Sequence, residues 1–189
     1  MLALILALTA AAPDCAYDRA ALLALTEDKF DQDLTGGWRK LADEGCTVEA
    51  ADLIAAYRDA APREHPQLLL WHEGQLRAIL GQDDRAITLF AASYEPLARD
   101  TIGWNHYVDG SIAFLRHDRP ALAAAREALA AVPRPANPPM MVMNGKRVPL
   151  AWPPNLNVLD GFLKCFDRPY REAYGSAACT VSFKIDTDD

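Results

Sequence analysis

His72-Glu73 stands first among the residues able to do chemistry. A histidine followed by glutamate opens the zinc-binding helix of metalloproteases, where a second histidine four residues on completes the metal site. That position is Leu76 here, so the motif fails, and His72 reads as a polar residue at a helix–helix contact. His106 and Asp109, together with Glu73, are the remaining acid–base candidates, set among aromatic residues. Ser93, Ser111, Ser176 and Ser182 lie in no nucleophile-elbow context, so no Ser-His-Asp set can be argued. Gly36-Gly37 lacks the lysine that follows a phosphate-cradling loop. Of the carboxylate pairs, Asp83-Asp84 suits helix capping and Asp188-Asp189 belongs to a charged tail. No catalytic set, metal site or cofactor is implied.

The four cysteines, Cys15, Cys46, Cys165 and Cys179, fall into an N-terminal and a C-terminal pair. An even count behind an exported N-terminus suggests disulfides. Of three connectivities, Cys15–Cys46 with Cys165–Cys179 closes the local loops. Four buried free thiols in a cytosolic protein is the plainer alternative. Zinc binding is the weakest, because no two cysteines stand at ligand spacing.

Export rests on residues 1–12. Met1 to Leu8 is apolar and too short to span a bilayer. With the small residues after it, the stretch reads as a signal peptide cleaved near Ala11 or Ala12, which points to the periplasm or secretion. No Lys or Arg precedes it, and Pro13 sits badly for cleavage; the alternative is a buried first helix of a cytoplasmic protein. Asp14 before Cys15 argues against a lipid anchor. The formal charge of −7, without a basic run, argues against nucleic-acid binding.

At 189 residues, half of them apolar, the chain can bury one proper core. Abundant alanine and sparse β-branched residues favour helix. Helices are expected over Asp14–Lys29, Trp38–Ala42, and from Thr47 to Ala61, with Thr47 as cap and Val48, Ala51, Ile54 and Ala55 on one face. Pro66 opens a helix to Leu80, Gly81 ends it, and Asp83 or Asp84 caps the next. A further pair begins at Asp100 or Thr101 and resumes at Asp118-Pro120, ending near Val132. Gly81–Ile87 lies over Arg116–Leu122 at an offset of 35 residues, a period typical of stacked helix–turn–helix repeats. Beyond Val132, prolines at 133, 135, 138 and 139 forbid regular helix. Asn144-Gly145 between apolar alternation then predicts a hairpin held on the helices by Met141, Met143 or Val148. Leu156–Phe166 reads as a last helix, and Asp186–Asp189 as a solvated tail.

Gly74, Ala86 and Phe90 stand at the spacing of the small residue, alanine and aromatic of tetratricopeptide repeats, and residues 65–132 resemble that family. The second unit departs from the pattern: Asp109 replaces the glycine, with Gly110 one residue late, and Ala125 replaces the aromatic. The resemblance implies a mostly α fold, a right-handed stack of antiparallel helix pairs over 13–132. The segment 133–189, with its short C-terminal β-hairpin, would pack on the stack as part of one domain. In that family first helices line a concave groove, so Trp71, Gln75, His106 and Tyr107 are expected to face a protein or peptide partner. Packing between repeats is the competing reading for both Trp71 and Trp104. The function expected is binding or scaffolding. A cell-envelope enzyme using His106, Asp109 or Glu73, and a structural domain that forms homo-oligomers, are the alternatives.

Overall fold

The computed structural model describes residues 14–143 and 146–182. The expected signal segment, the Asn144-Gly145 turn and the acidic tail lie outside the described residues, as do the side chains of Met141, Met143 and Val148. The helices are α1 Arg19–Leu23, a π-helical turn Asp28–Gln32, α2 Gly37–Asp43, α3 Thr47–Ala60, α4 Pro66–Ile79, α5 Asp83–Ala92, α6 Trp104–Leu115, α7 Arg119–Ala130, α8 Leu156–Lys164 and α9 Tyr170–Gly175.

Local chemistry explains most boundaries. Pro66 occupies the first turn of α4, where a missing N–H costs nothing, and Gly81 ends that helix at φ 71°, a left-handed conformation that suits glycine. The Asp100 carboxylate accepts from the Trp104 and Asn105 amides at 2.7 and 2.9 Å to start α6. Asp118 accepts from the Ala121 amide at 3.0 Å to start α7.

Three expected elements differ. The single helix over Asp14–Lys29 is broken: α1 has five residues, and the Leu25 carbonyl accepts from the Tyr57 hydroxyl at 2.8 Å, across 32 residues of chain. Thr47 is the first residue of α3, and its cap position is Cys46, held by a disulfide. Asp83 and Asp84 likewise sit inside the first turn of α5, behind Gln82; their charges face the positive end of the helix but cap nothing. The buried face of α3 is also rotated from the expected one. Ala51 and Ile54 are buried as expected, but Val48 is exposed and Ala50, Leu53 and Tyr57 join the buried face.

Successive helices pack side by side from α2 to α7, with α8 against α6 and α7 and α9 across α4 and α8. Two hydrophobic cores result. The N-terminal one gathers Phe30, Trp38, Leu41, Ala50, Leu53, Ile54, Tyr57, Leu69 and Leu76. The other gathers Trp71, Phe90, Tyr107, Val108, Phe114, Leu122 and Leu129 with Leu159 and Phe162 of α8 and Tyr170 of α9. α4 feeds both, because Leu69 and Leu76 point one way and Trp71 and Ala78 the other.

The expected fold class needs correction at its C-terminal end. Among the described residues the architecture is helical, and the expected C-terminal hairpin is not one of its layers. A short antiparallel ladder pairs Met140–Met143 with Lys146–Pro149. A two-stranded ladder on its own is at best marginally stable and makes no structural layer. The closing role falls to α8 and α9, whose aromatic residues fill the second core: Phe162 stacks on Phe114 at 4.4 Å.

Glycine sets how closely helices approach. A Cβ on Gly74 would meet the Phe90 ring at 2.7 Å, so α4 and α5 touch through that glycine. A Cβ on Gly110 would meet Leu159 at 2.6 Å, so in the second unit the glycine admits α8. Gly74→Ala should therefore destabilise by about 1–3 kcal/mol through overpacking. The double variant Gly74→Ala/Phe90→Leu should fall short of the sum of its single effects, as urea melts followed by tryptophan fluorescence would show. Full additivity would mean that the two side chains do not meet.

Candidate functional site

The four expected groove residues do not share one surface. Trp71 is only 3% exposed, in contact with Phe90, Tyr107 and Trp104 at ring separations of 4.3, 4.7 and 4.9 Å. Tyr107 is equally buried, and burial pushes its hydroxyl pKa well up. Both are core residues and offer a partner no surface. Gln75 is half-buried on α4, beside α9. His106 is half-buried and lines a different feature, the cleft between α5, α6 and α7.

That cleft is open to solvent and has a volume of about 540 Å³. Its floor is small and apolar: Ala113, Ala121, Ala124, Ala125 and Ala128, with Ile112 and Ala91 at the sides. Four of these alanines lie on one face of α7, at spacings of three and four, while Leu122 and Leu129 face the core. The rim is polar, formed by Tyr94, His106, Asp109, Arg116 and Asp118. Tyr94 donates its hydroxyl to Asp109 at 2.5 Å; burial, then that carboxylate, hold the phenol far above its ordinary pKa. Asp109 is thus committed to Tyr94. No serine, threonine or cysteine lines the cleft, so His106 and Asp109 have no nucleophile beside them.

Glu73, the third acid–base candidate, is completely buried in an ionic cluster. It accepts from Arg85 at 2.7 Å, from Arg58 at 3.2 Å and from Arg77 at 3.4 Å, and Arg77 also donates to Asp52 at 2.5 Å. A carboxylate fixed by three guanidinium groups is a structural tie between α3, α4 and α5 and reaches no substrate.

His72 lies at a second buried carboxylate. Asp31, in the π-helical turn, is bonded to His72 Nδ1 at 2.7 Å, accepts from the Trp38 indole at 2.9 Å, and sits 3.8 Å from Arg39. Burial pushes the Asp31 carboxyl up, but the bond and charge of His72, the Trp38 indole and the Arg39 charge together outweigh it, and the carboxyl titrates below the ordinary carboxylate range. A depressed folded pKa gives stability that is present above the unfolded value, about 3.9, and lost as pH falls through the folded one. Asp31→Asn should cost about 1.5–3 kcal/mol at pH 7, the range for hydrogen bonds to a charged group. That difference from the wild type should shrink as pH falls below about 3.9, where Asp31 of the unfolded chain takes up its proton first, and vanish once the folded carboxyl is protonated too. Urea melts at pH 7 and pH 3 give the comparison, and a pH-independent difference would exclude this role.

Both cysteine pairs are bonded, Cys15 to Cys46 and Cys165 to Cys179. Among the described residues, Cys15, Cys46 and Glu49 are the one group close enough to hold a metal ion, but the first two are joined to each other. Also among the described residues, no helix is long and apolar enough to cross a membrane. No family model matches the chain, and no curated protein or solved structure is significantly similar to it.

The arginine cluster was invisible in the sequence because Arg58, Arg77 and Arg85 stand on three helices. The alanine floor had a signal in the periodicity of α7, whose weakly apolar face runs beside its leucines.

Proposed function

We propose that this chain is an exported helical-repeat protein, similar to tetratricopeptide proteins, that binds a protein or peptide segment in the α5–α6–α7 cleft. The observation that carries the reading is the cleft itself: an open, alanine-floored channel with a polar rim and no nucleophile. Small side chains let a partner's backbone or apolar side chains approach closely, and rim groups such as His106 and Arg116 supply orientation. The two disulfides support export, since such bonds persist in oxidising compartments.

Two measurements test it. A photo-reactive residue at Ala128 should give a discrete adduct in the native host. The same probe at Asp59, on the exposed side of α3, should not, and Ala124→Trp, which fills the cleft, should abolish the adduct. An adduct of twice the chain mass would assign the cleft to self-association; identical adducts at Ala128 and Asp59, or none, would remove it as a binding site. For export, intact mass of the native protein should show loss of the N-terminal segment and no alkylation before reduction. A full-length chain with four reactive thiols would overturn the export reading.

A further inference from the structure

We infer that the segment seated in the α5–α6–α7 cleft is an α-helix of another protein, carrying a basic and an acidic residue seven positions apart with apolar residues between them. This rests on the reading that the cleft binds a polypeptide, and it names the conformation and chemistry of that partner.

Hydrogen bonding selects the conformation. An extended segment brings one N–H and one C=O per residue, and those turned towards the protein need partners there. The cleft has few to give. Its walls are three helices, whose interior backbone groups are bonded along their own axes. Of the polar side chains, Tyr94 donates to Asp109, and Asp118 accepts from the Ala121 amide. Most of the remaining lining is alanine, and no asparagine or glutamine is part of it. With neither carboxamides nor a sheet edge along the cleft, an extended backbone would leave polar groups buried without partners, which opposes binding. A helix bonds its own N–H and C=O groups and turns only side chains to the walls.

The dimensions agree. His106, Asp109, Ala113 and Arg116 follow one another along one side of α6, as Ala121, Ala124 and Ala128 do along α7. The step from His106 to Arg116 corresponds to about 15 Å of wall, or about three turns of a docked helix. Alanine walls let a helix axis come close.

Charge selects the partner's sequence. Along α6 the cleft meets Asp109, then Ile112 and Ala113, then Arg116. Asp109 and Arg116 are exposed, and the two apolar residues between them are buried at the floor. Tyr94 occupies only Oδ1 of Asp109, leaving Oδ2 and the charge. Among the described residues, the Arg116 guanidinium has no hydrogen bond or ion pair. Asp118, nearby, faces the positive end of α7 and is spent there. Asp109 and Arg116 thus stand two turns apart around an apolar centre, the interval at which a second helix repeats one face. A cation over Asp109 and an anion over Arg116 satisfy both; two like charges leave one repelled. The α6 helix of a second copy has the same charge pair, but its own Ile112 and Ala113 are sunk between α5 and α7 and cannot reach the floor. No other described helix carries opposite charges seven positions apart.

The test uses the whole oxidised protein and two kinds of probe. The first is a hydrocarbon-stapled helix of about four turns, with a lysine and a glutamate seven positions apart and two leucines between them. It is made in both charge orders, because either helix direction fits the cleft. One order should bind saturably in fluorescence anisotropy. Replacing its glutamate by lysine should weaken binding at least fivefold, and breaking its helix with two central D-residues at least tenfold. Arg116→Glu, at an exposed position, should melt with the wild type and reverse the first preference, so that the doubly basic helix binds better than the mixed one. Ala124→Trp should abolish binding of both. The second probe is a photo-reactive residue at Ala121 or at Ala128 in the native host. The two sites lie about 10 Å apart along α7, so they should mark partner residues about seven positions apart in a helix and about three apart in an extended chain. A spacing of about three, no saturable binding of either charge order, equal binding of intact and broken helices, or an unchanged preference in Arg116→Glu would overturn the inference. The spacing of three would still leave the cleft a polypeptide site, whereas no adduct at either position would remove the cleft itself.

Discussion

Glu73→Ala should cost about 3–5 kcal/mol, the range expected when one partner is removed from a buried ion cluster. Glu73 has no exposed surface, and Arg77, the most buried of its three arginine partners, is 2% exposed. Its two oxygens take N–H groups from Arg58 of α3, Arg77 of α4 and Arg85 of α5. Without the carboxylate, the buried Arg77 faces Arg58 and Arg85 with only Asp52 and Gln82 left as side-chain partners. Arg85→Ala should be far milder, about 1 kcal/mol or less, because that side chain is half exposed and Glu73 retains two arginines. Glu73→Leu with Arg77→Met should recover most of the loss, since apolar residues of similar size often replace a buried ion pair without penalty. Urea denaturation with an unchanged m-value gives the numbers. A Glu73→Ala variant within 1 kcal/mol of the wild type would mean that the cluster is hydrated and does not join the three helices.

Reduction of both disulfides is the other large effect expected. The bonds span sequence separations of 31 and 14. Restricting the unfolded chain over such loops is worth roughly 3–4 kcal/mol per bond. Each also secures an end of the fold. Cys46 precedes α3 and ties it to the segment before α1, while Cys165 follows α8 and ties it to the segment after α9. Against a total stability of about 5–15 kcal/mol, losing both leaves little. The melting temperature should fall by roughly 15–25 °C under reduction, at 2–4 °C per kcal/mol for a chain of this size. Cys15→Ala/Cys46→Ala and Cys165→Ala/Cys179→Ala should each give about half of the drop. A reduced protein melting within a few degrees of the oxidised one would show that the bonds do not hold the ends.

Much of the helical layout was legible in the residues alone. Pro66 and Gly81 bound α4, Asp118 starts α7, and the buried spacing of Ala86, Leu89 and Phe90 sets the inner face of α5. These are local effects: a fixed φ, a side-chain cap, a period of 3.6 residues. The cysteine partners were one of three possibilities by count, and the pairing found is the one that closes the short loops. What the sequence could not decide was which polar and aromatic residues meet. Trp71 and Tyr107 have surface-ready side chains, yet they meet Phe90 and Trp104 and are buried. Asp31 and His72 stand 41 residues apart and Glu73 and Arg58 stand 15 apart, and each pair forms only when helices dock. The expected hairpin followed from a turn signal, but a two-stranded ladder gains weight in a fold only by packing on something, and α8 and α9 already cover the core. Local rules place the helices along the chain; which face is buried, and which charges pair, depends on the neighbours each helix meets.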